Sequence, residues 1–223
     1  MTSRHTVRAA AAALVFSLGA ACSKDSTSPA ADVDPATGTI TNMKGTLANT
    51  TYSGDIDINI AATATSGSAA ITGCVYLKSA TCTAAAGTYT VSSKALAFTT
   101  TSPALSFAGT YASGVVQGTV SGAGGAGFMT IRKGSVSVYC GSFSGAAAGR
   151  WNFVITGSTL DGIYNDGSGN VRLTGSVNSS NAASITFASG TAAGTISGAS
   201  ASGTWTAGTS TGTWTGSNSG CRA

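Results

Sequence analysis

The chain has 223 residues, only 8% of them charged; all seven acidic residues are aspartates and the single histidine is His5. The formal charge is +4, and from Cys22 onward nine Lys and Arg against seven Asp leave 9 − 7 = +2, too little for the clustered basic face that nucleic acid requires. This composition excludes a nucleic-acid binder and leaves almost nothing for acid–base chemistry, so no enzyme, no metal and no cofactor is expected.

In chain order, Arg4, His5 and Arg8 come first, followed by the apolar run AAAAALVFSLGAA from Ala9 to Ala21. The run is well short of the ~20 residues a membrane-spanning helix needs, and residues 1–21 read as a removable export signal that takes the histidine with it. It stops at Cys22 in LGAAC. This phrase resembles the lipobox of bacterial lipoproteins, in which the cysteine is lipidated and becomes the mature N-terminus. Here Leu18 stands four residues before the cysteine rather than three, with Gly19 in the usual place; ordinary cleavage near Ala21 is the alternative. The resemblance implies lipidation at Cys22, a membrane anchor, and a place in the bacterial cell envelope as an outer-membrane lipoprotein, on its periplasmic or surface face. The count of five cysteines agrees, because removing Cys22 leaves an even set for an oxidising compartment: Cys74, Cys82, Cys140 and Cys221. Residues 22–36, rich in Ser, Pro, Ala and Asp, read as a flexible tether.

From residue 37 to 223 the chain is short of charge, yet Val, Ile, Thr and aromatic residues recur throughout. That argues against disorder and for strands. A phrase of Gly-Thr plus an apolar residue returns at Gly38, Gly45, Gly87, Gly109, Gly118, Gly194, Gly203 and Gly212. Between its copies, GDIDINI sets Ile56, Ile58 and Ile60 against Asp55, Asp57 and Asn59. RWNFVIT aligns Trp151, Phe153 and Ile155, and NVRLTGSV aligns Val171, Leu173 and Val177. Period-two alternation marks strands with one buried and one wet face. With turn signals such as NDGSGN (165–170) about every ten residues, the expected fold is all-β. It is an antiparallel up-and-down meander closing into one or two small barrels or sandwiches. Duplication into 37–133 and 134–223 is hinted at by GTVSGAGGAGFMTI from Gly118, which matches GTISGASASGTWTA from Gly194 at a displacement of 76 residues; LSFAG at Leu105 and ITFAS at Ile185 precede them.

Several groups of residues are candidates for chemistry. Asp55 and Asp57 share one strand face, which on alternation alone is the wet face; the pair lacks the Asp-Thr/Ser-Gly of an aspartic protease. Asp161, Asp166 and Asn170 are oxygen ligands of the kind calcium takes, but without the order of an EF-hand, and Asp-Gly is what a hairpin turn needs in any case. Arg132, Lys133, Arg150, Arg172 and Arg222 read as scattered surface cations. Trp151, Trp205 and Trp214, with Tyr139 and Tyr164, are either core or the lining of a ligand site. The GTW and LTGSV phrases resemble avidin-like barrels over those few residues only, and no ligand is carried across.

The final stretch, SGTWTAGTSTGTWTGS from Ser202, reads as a hairpin turning at Gly208-Thr209. That register sets Trp205 opposite Gly212 and Trp214 opposite Gly203, each ring covering backbone that a glycine leaves bare. A Cys140–Cys221 bond would join first and last strands of the C-terminal half, at up to about 4.5 kcal/mol of chain-entropy stabilisation; a local Cys74–Cys82 staple would add about 2.6 kcal/mol. Other pairings of the four remain compatible with the sequence. The expected role is non-catalytic, structural or adhesive, with an envelope component as partner; the alternative is a module binding carbohydrate or a small apolar ligand through its aromatics. Fully buried rings would favour the first role, and an exposed aromatic row beside an open cleft the second.

Overall fold

Alternation of small or hydroxylated residues with apolar ones produces strands throughout, with no helix among the described residues, in a computed structural model that describes residues 40–61 and 67–223. The expected signal and tether, with Cys22, lie outside the described residues. The first eight strands are β1 (Ile40–Asn49), β2 (Ser53–Ala61), β3 (Ser68–Tyr76), β4 (Thr83–Thr90), β5 (Ala95–Thr101), β6 (Ala104–Ala112), β7 (Val115–Gly122) and β8 (Gly127–Lys133). The second eight are β9 (Ser137–Gly145), β10 (Gly149–Thr156), β11 (Thr159–Asn165), β12 (Asn170–Val177), β13 (Ala182–Phe187), β14 (Gly190–Ser197), β15 (Ser200–Ala207) and β16 (Ser210–Ser217).

Each set of eight forms an antiparallel meander that closes on itself, β1 pairing with β8 and β9 with β16. Closure leaves neither sheet with an open edge. The expected all-β meander is therefore realised as two closed barrels. The matching phrases 76 residues apart run over β7–β8 and β14–β15, and the shorter pair begins on β6 and β13. Those strands are seven apart, whereas the barrels repeat every eight. The matched phrases thus share strand-and-turn grammar rather than equivalent places.

Inward positions of the first barrel carry large aliphatic and aromatic groups from every strand, and Phe98 stacks on Phe107 with ring centroids 4.4 Å apart. At one end Asn49 ties the β1–β2 turn to the β7–β8 loop. Its Oδ1 accepts from the amides of Thr51 and Tyr52, and its Nδ2 donates to the carbonyl of Ala123. Two disulfides are formed, Cys74–Cys82 and Cys140–Cys221. The second links β9 to the tail just past β16, where sheet closure already brings the two strands together.

One outer wall of each barrel is not wet. Thr46, Ala48 and Thr130 on β1 and β8 face outward yet are buried, as do Asn152, Val154, Asp161, Ile163 and Asn165 on β10 and β11. These strands pack against one another. Buried polar groups on such a wall need partners: Thr46 Oγ1 donates to the Gly54 carbonyl within the first barrel at 2.7 Å, whereas the asparagines and the aspartate find theirs across the joint. Asn152 Nδ2 donates to the Leu47 carbonyl at 2.6 Å, and Asn165 Nδ2 to that of Asn49 at 3.3 Å. Arg132 pairs with Asp161, its Nε 2.7 Å from the carboxylate. Arg172 donates to the carbonyls of Met129 and Gly118 and lies over the Phe128 ring, 4.5 Å from its centroid.

This overturns the reading of the arginines as scattered surface cations. Arg132, Arg150, Arg172 and Arg222 all reach from one barrel to the other. Period two tells inside from outside of a sheet, and a second barrel covering the outside is invisible to it. Asp55 is corrected for the same reason. It lies on the outward face but is buried, under Arg222, which donates to it at 2.8 Å and stacks on Tyr76 at 3.7 Å.

Candidate functional site

The candidate site is built on the β15–β16 hairpin, whose observed pairs are Ala207↔Ser210, Trp205↔Gly212 and Gly203↔Trp214. This is the register expected from the sequence. Gly208 takes φ of +60° at the first position of the turn, a conformation that glycine adopts without steric cost. Both tryptophans point into the second barrel, where Trp151 of β10 joins them. Their rings lie over glycines. A methyl group added at Gly212 would meet the Trp205 indole at 2.5 Å, one at Gly203 the Trp214 indole at 2.7 Å, and one at Gly216 that of Trp151 at 2.5 Å. Each glycine is what allows its ring to lie flat on the wall.

Every indole N–H is already used. Trp151 Nε1 donates to the Ser142 carbonyl at 3.0 Å, Trp205 to Ser144 at 3.1 Å and Trp214 to Thr204 at 3.2 Å. The rings also brace one another: Trp151 stacks on Phe153 at 4.1 Å and meets Trp214 edge-on at 5.4 Å. Such pairs add to the burial of their surfaces. Orientation is thereby fixed from two sides, by wall carbonyls and by neighbouring rings.

The space these rings do not fill is a cavity of about 210 Å³ that opens at one end of the second barrel. Phe153, Leu173, Ile185 and Trp214 lie deepest by strand position, while Phe143, Tyr164 and Phe187, all half-buried, stand nearer the mouth. Hairpin connections frame that mouth, contributing Ala147, Asp166 and Ser189, with Ser210 at the first position of β16 beside the fourth turn. Ala192 and Ala207 line the side formed by β14 and β15; small residues there leave room where the first barrel carries bulk.

Of the residues expected to bind, Trp151, Trp205, Trp214 and Tyr164 line this cavity. Tyr139 does not. It sits four residues from Phe143 along β9, about 13 Å further from the mouth, and its hydroxyl donates to the Gly198 carbonyl at 2.6 Å. The tryptophans are 2%, 9% and 3% exposed, so they are neither an exposed row nor sealed core. They are buried rings whose inner faces border a hollow. Phe143, Phe187, Ala192 and Ala207 were not singled out in the sequence, and Phe153 was aligned with Trp151 as one strand face but not as a site residue; Phe187 shares the inward parity of Ile185, a signal that would have found it.

The aspartates have other tasks. Asp161 is committed to Arg132 in the joint between barrels. Asp166 is a turn residue: its Oδ1 accepts from the Ser168 amide and hydroxyl and from the Gly169 amide. Asn170 Oδ1 accepts from Asn165 Nδ2 at 2.9 Å. The three do not converge on a common point. Asp55 and Asp57 both engage Arg222, and Asp57 also lies 3.6 Å from Lys44. Burial raises the Asp55 carboxyl above its ordinary range, an effect that the hydrogen bond and charge of Arg222 only partly offset. A comparison with protein-family models, with curated proteins and with solved structures finds no match to this chain.

Proposed function

We propose that the second barrel is a non-catalytic binding module for a small, mainly apolar ligand about the size of one ring system, carried on a lipid-anchored envelope protein. The observation behind this reading is the aromatic-lined hollow at the mouth of a barrel whose indole N–H groups are already paired. Ligand sites are concave, mostly apolar and furnished with few polar groups. A cavity of about 150 Å³ in another protein accepts benzene, so about 210 Å³ fits a ligand slightly larger. Carbohydrate fits less well. A sugar brings many hydroxyls, and the indole N–H groups that might pair with them are engaged; unpaired buried hydroxyls each cost about 1–3 kcal/mol. The first barrel, filled with its own side chains, takes the structural part, and lipidated Cys22 would supply the anchor.

The test uses the tryptophans as reporters. Titrating the protein with naphthalene should quench or shift indole fluorescence saturably. Ala192→Phe should abolish the change while the protein stays folded, since the new ring fills the hollow. A linear response, or an unchanged response in the filled variant, would sink the proposal. Separately, Cys22→Ser should move the protein out of the membrane fraction, and failure of the wild-type protein to take up labelled palmitate would end the anchor claim.

A further inference from the structure

The charge of a ligand is set by what its cage presents to it. Seven of the fifteen residues bordering the cavity are aromatic, none is Lys, Arg or His, and the one formal charge is Asp166 at the mouth. The arginines on the strands that build this end are turned away. Arg150 donates to the Thr51 carbonyl, and Arg172 to those of Met129 and Gly118, all on the first barrel. An aromatic face is the negative side of the ring quadrupole and attracts a cation within about 6 Å of its centroid. The rings here have no competing positive charge among the lining residues.

We infer that this cavity takes an organic cation without N–H groups, a quaternary ammonium or an N-alkylated aromatic cation, seated among the rings with Asp166 at the entrance. The inference rests on the reading of the cavity as a ligand site. The deeper lining is rings, Leu173 and Ile185, so a primary ammonium would bury three donors with nothing to receive them. A quaternary head has no donors to satisfy, and its charge, spread over several carbons, is the cheaper one to dehydrate. Asp166 is well placed to keep its charge: the amides of Ser168 and Gly169 and the Ser168 hydroxyl converge on Oδ1. Those bonds hold its carboxyl below the usual range. Anions meet both the carboxylate and the ring faces, and are refused.

Three probes of similar shape separate the possibilities, each titrated into the full chain with tryptophan fluorescence as the readout. They are phenyltrimethylammonium, its neutral counterpart tert-butylbenzene, and benzenesulfonate. The cation should bind saturably and the sulfonate should not. Asp166→Asn keeps an acceptor for the turn, so the fold should hold. It should weaken the cation about five-fold and leave tert-butylbenzene unchanged, which also checks that the cavity is intact. Binding of tert-butylbenzene without the cation, sulfonate binding equal to that of the cation, or equal loss of cation and neutral probe in Asp166→Asn would each overturn the charge preference while leaving the cavity as a ligand site. No response to any of the three would overturn both.

Discussion

The two barrels share strand number, connectivity and closure, yet one is filled and the other is hollow. Among the described residues the first buries nineteen core side chains and the second eleven. The largest fully buried side chains, headed by Tyr89, Tyr111, Phe98 and Phe107, belong to the first barrel. An eight-stranded barrel has an interior just wide enough for side chains to fill or for one small ligand. Which of the two occurs therefore depends on the inward residues and not on the backbone. In the second barrel the bulk is gathered into a few rings resting on glycines, while the small Ala192, Ala207 and Ser210 on β14, β15 and β16 leave their share of the interior empty. Concentrating volume in a few rings gives a lined hollow; spreading it over every strand gives a core.

The sharpest way to break this contrast is to remove one phenyl ring from each barrel. Phe98→Ala should cost about 3–5 kcal/mol, as a fully buried aromatic does, because Phe98 is 2% exposed and stacked on Phe107. Phe187→Ala, at the half-buried rim of the hollow, should cost well under half of that. Urea denaturation midpoints decide it, and equal losses would mean that the second interior is packed as tightly as the first.

The disulfides differ in the same direction. The Cys140–Cys221 bridge spans 81 positions and Cys74–Cys82 spans 8. Replacing both cysteines of the long bridge by serine should cost up to about 4.5 kcal/mol and the short one about 2.6 kcal/mol. The glycine-rich second barrel should therefore be the one that reduction weakens more, and equal sensitivity to reduction would contradict this. At the joint, Asp161→Asn strands the Arg132 charge in a mostly buried position and should cost about 3 kcal/mol, whereas Asp161→Leu combined with Arg132→Met should recover most of the loss. A double-mutant cycle in denaturant measures this, and a coupling near zero would show that the pair does not hold the barrels together.

The smallest effect is one of pH. Burial raises the Asp55 carboxyl above its ordinary value of 3.8, so the native state holds that proton more tightly than the unfolded chain does. The contribution is fully present below the ordinary value and is lost as pH rises through the raised one. Stability followed across the weakly acidic range should show this fall in the wild-type protein and a flatter course in Asp55→Asn. Identical profiles would place the titration elsewhere.

Several features could be read from the residues alone because they obey local rules. Period-two alternation and glycine-bearing turns specify antiparallel strands, and parity fixes which residues share a face, since a slip of one residue would turn every side chain over. That is why the Gly208-Thr209 hairpin, the rings over Gly203 and Gly212, and the inward set of Trp151, Phe153 and Ile155 were legible. The pairing of Cys140 with Cys221 was one of several compatible with the sequence, attractive because it joins first and last strands, and the folded chain makes it. Two matters lay beyond any local rule. Alternation separates inside from outside but does not say that another barrel covers the outside, so Arg132, Arg172 and Arg222 became partners across a joint only in the assembled molecule. Nor does it measure volume. Whether three tryptophans make a core or a lined cavity depends on how much of a closed interior the facing residues leave unfilled, and that sum over eight strands exists only once the barrel has closed.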